Sequence, residues 1–441
     1  MTLRRRTLLA GFAASAAAPA LAQSLDGSTM GIAPDAGDQS AALQEALLRA
    51  AGEGRPLFLP AGTYLATNLL FPSDVLVEGV PGATVLAASA ADPVARISGN
   101  TDITLRGIAF NNGAGGPNDG RRGLLEIEAS DRITLEDCSF SGSPSNGLLV
   151  RDAAAAITRC HFSGHAQAGI FSMDSRGLRV SGCVVTDCGN GGILIWSADQ
   201  RRDGSIITGN SIARIDWKGG GDGQNGNGIN VFRSSEVIVA DNHITDCAFS
   251  AVRLNATRDC QVSGNVCINS GEVAIFSEFG FSGSVIANNV IDGAATGISI
   301  TNLDSGGQVA VCSGNIVRNI TATSAVNPET RGVGLYAEAE TVISGNTVTG
   351  VQGFGIVAGW GPFRRNVVVT GNTVSSVTYG IGVSVVDERP SGPVAVTNNQ
   401  VSGAASGGIV GMRWDELVEP DLAANASRYA QVTVAGNQVA G

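Results

Sequence analysis

The sequence predicts an all-β fold: a single-stranded right-handed parallel β-helix (a solenoid) of about a dozen coils behind a short N-terminal capping helix. Three observations carry this reading. Alternating apolar runs end repeatedly at a Gly-Asn corner, as in Ile207-Thr-Gly-Asn210, Val262-Ser-Gly-Asn265, Ile343-Ser-Gly-Asn346, Val369-Thr-Gly-Asn372 and Val434-Ala-Gly-Asn437. Looser copies end at Asn242, Asn289, Asn315 and Asn399, and successive asparagines lie 23 to 38 residues apart, the longer spacings falling where Gly-rich or charged inserts sit. A second strand in each coil opens on an x-Gly-Ile-like start: Asn146-Gly-Leu-Leu-Val150, Gly191-Gly-Ile-Leu-Ile195, Thr296-Gly-Ile-Ser-Ile300, Phe354-Gly-Ile-Val-Ala358. Finally, 60 Gly against 14 Pro, with 43% hydrophobic residues and few aromatics, suits a core laid down in narrow layers.

Taken in order, the chain opens with a targeting segment at residues 1–22. Arg4-Arg5-Arg6 precedes an uncharged run over 8–18, and Ala20-Leu21-Ala22 supplies small residues for cleavage. Residues 23–74 form an N-terminal linker with the capping helix and strand. Leu43, Leu47 and Leu48 recur at helical spacing over 38–51, and Gly52 is expected to stop the helix. Pro56-Leu-Phe-Leu-Pro60-Ala-Gly-Thr-Tyr64 then reads as strand and turn. Residues 75–441 are the β-helix domain, with the corner Asn expected in the left-handed conformation and its amides stacked from coil to coil. The last coil is expected to be covered either by the insert at 414–429 folding back over it or by another subunit.

Two resemblances follow from these segments. The paired arginines followed by x-Leu-Leu resemble the bacterial twin-arginine signal, which implies export of a folded chain to the periplasm or beyond; an ordinary secretory signal is the alternative. The helix, strand and Pro-Ala-Gly-Thr-Tyr opening resembles the N-terminal cap of right-handed parallel β-helix proteins of the pectate-lyase-like superfamily. Signal, cap and Gly-Asn repeats together resemble the twin-arginine-translocated uncharacterised repeat proteins of bacteria.

Charge and cysteine usage narrow the partners. Without Arg4, Arg5 and Arg6 the formal net charge moves from −11 to −14, which disfavours nucleic acid and anionic membrane surfaces. No internal run of about 20 apolar residues marks a membrane span. Cys138, Cys160 and Cys183 occupy the place that Asn takes in later coils, and Cys188 and Cys247 share another register. These read as buried small residues; whether any pair oxidises is left open. No CxxC or Cys/His spacing marks a metal site, and no cofactor is expected. The Gly-rich segment 219–228 resembles a calcium loop superficially, but with Asp222 as its one carboxylate it reads as a flexible turn, calcium being the alternative. The oligomeric state is open.

Strict alternation along the x-Gly-Ile strand leaves two outward columns. One carries Phe171, Asn230, Arg253, Phe276 and Tyr336; the other carries Trp196, Phe232, Asn255, Glu278 and Glu338. Rings that stack on apolar sugar faces, interleaved with amides and charges, predict polysaccharide as the partner. Inserts at 111–122, 213–228 and 321–332 precede this strand, whereas those at 197–205, 359–366 and 387–393 follow it, so two walls of loops should flank one groove. Phe171, Trp196, Asn230, Phe232, Asn255, Phe276, Tyr336 and Glu338 are the expected sugar contacts.

Elimination on an acidic polysaccharide needs a cation for the uronate carboxylate, a base for the carbon-bound proton and an acid for the leaving oxygen. Arg253, Lys218 (the sole lysine) and Glu278 are the catalytic candidates. Hydrolysis would instead need two carboxylates, Glu278 with Asp222 or Glu338. The Arg-x-Pro-x-x-Arg pattern of pectate lyases is missing, as are the polygalacturonase and mannuronan-epimerase motifs, so no catalytic residue carries over from those families. The reading is therefore an exported carbohydrate-active protein, lyase-like on an acidic glycan. One alternative is a non-catalytic glycan-binding or envelope-organising solenoid. Another is an accessory protein for a periplasmic metalloenzyme, similar to the β-helical copper-reductase maturation proteins.

Overall fold

The coils stack on one another in parallel register. The computed structural model describes residues 23–113, 120–301, 307–389 and 391–440. The targeting segment expected at 1–22 lies outside the described residues. The strands build a parallel β-solenoid of about 13 turns. One coil shows the plan: Ile206–Thr208 runs into the Gly209-Asn210 corner, Ser211–Ile215 leaves it, and Asn227–Ser235 closes the turn. The next coil repeats these with Ile206 opposite Ile238, Ser211 opposite His243 and Ile229 opposite Val252. Strands before the corner form one 16-stranded sheet, and the two strands after it join a second of 27. Parallel pairing reaches back into the cap segment, where Leu57–Leu59 pairs with Val75–Gly79 and Gly62–Ala66 with Thr84–Ala88.

The capping helix spans Ser40–Glu53 and buries Leu43, Ala46, Leu47 and Ala50. Two expectations shift here. Leu48 faces solvent, and Gly54 rather than Gly52 ends the helix, at φ 60° with its N–H donating to the Ala50 and Ala51 carbonyls.

The Asn ladder is continuous. Nδ2 of Asn210 donates to Oδ1 of Asn242 at 2.9 Å, and the same contact at 2.9 to 3.0 Å links Asn242, Asn265, Asn289, Asn315, Asn346, Asn372, Asn399 and Asn437 in turn. Each Oδ1 also accepts the backbone N–H of the preceding Asn, so every buried amide has a partner on both sides. The left-handed residue is the one before the Asn, not the Asn itself: Gly209, Gly264 and Gly345 there have φ of 63 to 68°. Asp241, Asn288 and Asn398 take that place in the looser copies. A residue without Cβ, or with a short polar side chain, tolerates this backbone best. Upstream, Cys183 accepts the Asn-type role, its Sγ taking the Cys160 N–H at 3.4 Å, while the Cys183 N–H goes to Asn210 Oδ1 at 2.9 Å.

Inward residues fill the bore. Phe110, Phe140 and Phe162 stack face to face with centroids 4.9 and 4.7 Å apart, following the coil repeat. At the far end Gln400–Arg413 turns back on Glu416–Glu419 as an antiparallel pair, and the short helix Leu422–Asn425 buries Leu422. The 414–429 insert thus folds onto the last coils.

Candidate functional site

The outward columns lie where alternation puts them. Cα register runs Leu149, Phe171, Leu194, Asn230, Arg253, Phe276, Ser299, Tyr336 and Val357 along one column. The neighbouring column runs Arg151, Met173, Trp196, Phe232, Asn255, Glu278 and Thr301. The face does not act as one strip, however; it divides into three parts.

The first part is a cluster of rings packed edge to face, in which the Trp196 indole nitrogen is buried without a hydrogen-bond partner. Phe171 and Trp196 meet edge to face at 5.3 Å, Trp196 and Phe232 at 6.0 Å, and the Arg233 guanidinium lies over Phe232 at 4.8 Å.

The second part is a buried polar knot. Arg253 is 7% exposed and Glu278 1%. Nε and Nη2 of Arg253 both reach Oε1 of Glu278 at 2.6 Å, and Nδ2 of Asn255 donates to that oxygen at 2.9 Å. The guanidinium also lies 5.1 Å from the Phe276 ring centre. Burial pushes the Glu278 carboxyl up, with Arg253 opposing the rise. The segment around Gly223 lies directly on this knot, since a Cβ there would stand 1.5 Å from Arg253 Nη1. Asn230 is held from above as well, its Nδ2 donating to the Gln224 carbonyl at 3.2 Å. Only glycine permits this approach, at φ 109°.

The third part is an open groove of about 900 Å³. Phe276, Tyr336 and Glu338 lie along its floor. Asn327–Arg331 of the 321–332 insert and Trp360 of the 359–366 insert both line it. Ser324 Oγ pins the first insert by donating to the Gly271 carbonyl at 2.7 Å. The second is braced by Trp360 against Trp414, centroids 5.3 Å apart. Burial raises the Tyr336 hydroxyl well above the ordinary phenol range.

Lys218 is not brought to Arg253 and Glu278. Its side chain is 69% exposed, its Nζ lies 3.8 Å from Asp216, and it lines a separate depression of about 540 Å³ with Asp187, Arg214 and Asp246. The Gly-rich turn follows directly after it, and Gly223 of that turn lies on the knot. That turn is closed by its own amides, Asn225 Nδ2 to the Gly220 carbonyl and Asn227 Nδ2 to the Gly223 carbonyl, both at 2.8 Å. Among the described residues no group of three or more His, Cys, Asp or Glu side chains is placed to hold a metal ion. Nor is any helix there long and apolar enough to cross a membrane.

The groove also uses residues that sequence reasoning did not assign to sugar. Glu272, Trp360, Arg331 and Asp415 line it or its rim. Glu272 carried a signal, an acid one position before the strand Val273–Glu278. Arg331 and Asp415, an ion pair across 84 residues of chain, carried none.

The family described as periplasmic copper-binding protein (NosD) matches residues 96–272, and the right handed beta helix region matches residues 300–419. Among solved structures, an alginate lyase in complex with a trisaccharide is 14% identical over 96% of each chain, with a TM-score of 0.54. PfbA, a surface adhesin of Streptococcus pneumoniae, is 14% identical over 90% of this chain and 94% of its own, with a TM-score of 0.51. The enzymatically active domain of bacteriophage CBA120 tailspike protein 2 is 14% identical with a TM-score of 0.53; 66% of this chain matches 48% of that one, so the chain spans about half its length. No curated protein matches the chain significantly. Likeness at this identity concerns the fold, and with the two family matches it makes the chain a right-handed parallel β-helix repeat protein.

Proposed function

We propose that this β-helix repeat protein is exported and binds a polysaccharide in the groove lined by the 321–332 and 359–366 inserts. The observation that carries the reading is the groove itself: a site of about 900 Å³ lined by Phe276, Tyr336 and Trp360 together with carboxylates and the Asn327 amide. Aromatic faces beside polar groups are the chemistry by which a sugar chain is held. Solved structures of the same fold include an alginate lyase with bound trisaccharide and a phage tailspike, in keeping with a carbohydrate partner. The periplasmic description of the matched family and the arginine-led N-terminus support an envelope location.

Binding without elimination is the better reading of the geometry. A lyase needs a cation free to meet the uronate, and the Arg253 guanidinium is already committed to Glu278 under a covering turn. Its candidate base, Lys218, faces a different depression. The test is a panel of neutral, acidic and amino-sugar polysaccharides, read by thermal shift, by ultraviolet absorbance of unsaturated products and by reducing ends. A glycan that raises the melting temperature without product formation is expected, and the shift should vanish in Tyr336→Ala. Unsaturated product lost in Arg253→Ala would restore the lyase.

A second reading, an accessory role beside a periplasmic copper enzyme, is favoured by the match at 96–272. The described residues do not fit a resident copper site: the cysteines are buried, and no group of three or more His, Cys, Asp or Glu side chains is placed to hold a metal ion. Retention of copper by the purified chain against a chelator would favour this reading; none is expected.

A further inference from the structure

The charge of the groove selects among glycans. Its lining contains Glu272, Glu329, Glu338 and Asp415 against Arg331, and Arg331 is engaged by Asp415. The balance is anionic, in a chain whose formal net charge is already −11. A uronate chain laid along this floor would bring carboxylate against carboxylate.

Glu272 sharpens the point. It is 7% exposed and lines the groove. Its Oε1 accepts from Nδ2 of Asn327 at 2.8 Å, which ties the 321–332 wall to the floor. Its Oε2 is buried with no hydrogen-bond partner. A desolvated carboxylate oxygen with nothing to accept from costs free energy that a charged donor offsets best. Phe276 and Tyr336 add ring faces, which attract a cation as well as a sugar face.

We infer that the occupant of the groove is a glycan carrying protonated amines, a hexosamine polymer with free amino groups, and that Glu272 receives one ammonium. The inference rests on the glycan-binding reading and names the class of sugar. The ammonium pairs with the Glu272 carboxylate where it lines the groove, the hexose ring lies on Tyr336 or Phe276, and Glu329 adds attraction along the chain.

The test is calorimetric titration of the full chain with three probes at low ionic strength: a glucosamine tetramer, its N-acetylated counterpart and a galacturonate tetramer. The glucosamine tetramer should bind about tenfold more tightly than the acetylated one, the worth of one charge-assisted hydrogen bond. Glu272→Gln should narrow that ratio towards one. Glu329→Gln, at an exposed position, should narrow it less, and it keeps the test available if the Glu272 variant fails to fold. Equal or tighter binding of the acetylated or uronate probe would overturn the amine assignment while leaving a glycan-binding groove. Binding of none of the three would remove both.

Discussion

Replacing Arg253 with Met is the substitution that separates a structural pair from a catalytic one. The wild-type guanidinium makes two contacts of 2.6 Å to one oxygen of a carboxylate that is 1% exposed, and it lies 5.1 Å from the Phe276 ring. Methionine restores much of the volume but takes both guanidinium contacts away from Glu278, while the Asn255 amide still donates to it. Breaking a buried pair from one side costs about 3–5 kcal/mol, because the surviving charge stays desolvated. The loss should appear as a lower denaturant midpoint at neutral pH. It should shrink in acid, because a protonated Glu278 needs no counter-charge and burial already pushes its carboxyl up. The double variant Arg253→Met with Glu278→Gln should recover about half of the loss or more. An Arg253→Met protein as stable as wild type at pH 7 would refute the argument. If that protein also lost a glycan-cleaving activity, Arg253 would belong to a reaction rather than to the scaffold.

Three further outcomes follow from the same structure. Asn265→Ala removes a donor and an acceptor in mid-ladder and orphans the Asn242 N–H, so unfolding free energy should fall by about 2–3 kcal/mol in a denaturant titration; an unchanged midpoint would mean that the rungs are decorative. Phe140→Ala opens a void between Phe110 and Phe162 and should cost about 3–5 kcal/mol by the same measurement. Burial holds the imidazole of His165 down at about 4 from its ordinary 6.5, so the unfolded chain takes up a proton that the folded chain refuses as pH falls between those values. About 3 kcal/mol of stability should therefore be lost on going from pH 7 to pH 4, and His165→Gln, compared with wild type by thermal melting across that range, should flatten the slope.

Much of the architecture was legible because a solenoid repeats its instructions. The alternation in Asn227-Gly-Ile-Asn-Val231 and its copies fixed which residues face outward, and equal starting points fixed the register, so Asn230, Arg253 and Phe276 fall side by side. The nine ladder asparagines were visible for the same reason. Placing the left-handed residue required knowing which side chain turns into the bore, and the Asn amide does so where the residue before it takes the bend. The site was less legible. Columns give neighbours along the axis but not which insert folds over which coil. The turn around Gly223 covers Arg253, whereas the Asn327 segment and the half-buried Tyr336 line one groove. Lys218 stands just before the Gly223 turn in sequence, yet its side chain lines a separate depression. Glu272 gains its meaning from Asn327, 55 residues further on, a contact no local pattern encodes.

The central claim, a sugar chain held in the groove lined by two inserts, is tested most directly by a crystal structure of the protein with a bound oligosaccharide. The account predicts sugar rings along Phe276 and Tyr336, beside Asn327–Arg331 and Trp360, with Arg253 and Glu278 still joined beneath the Gly223 turn. Sugar bound instead against Arg253 with that turn lifted, or on the Phe171–Trp196–Phe232 cluster with the groove empty, would contradict it.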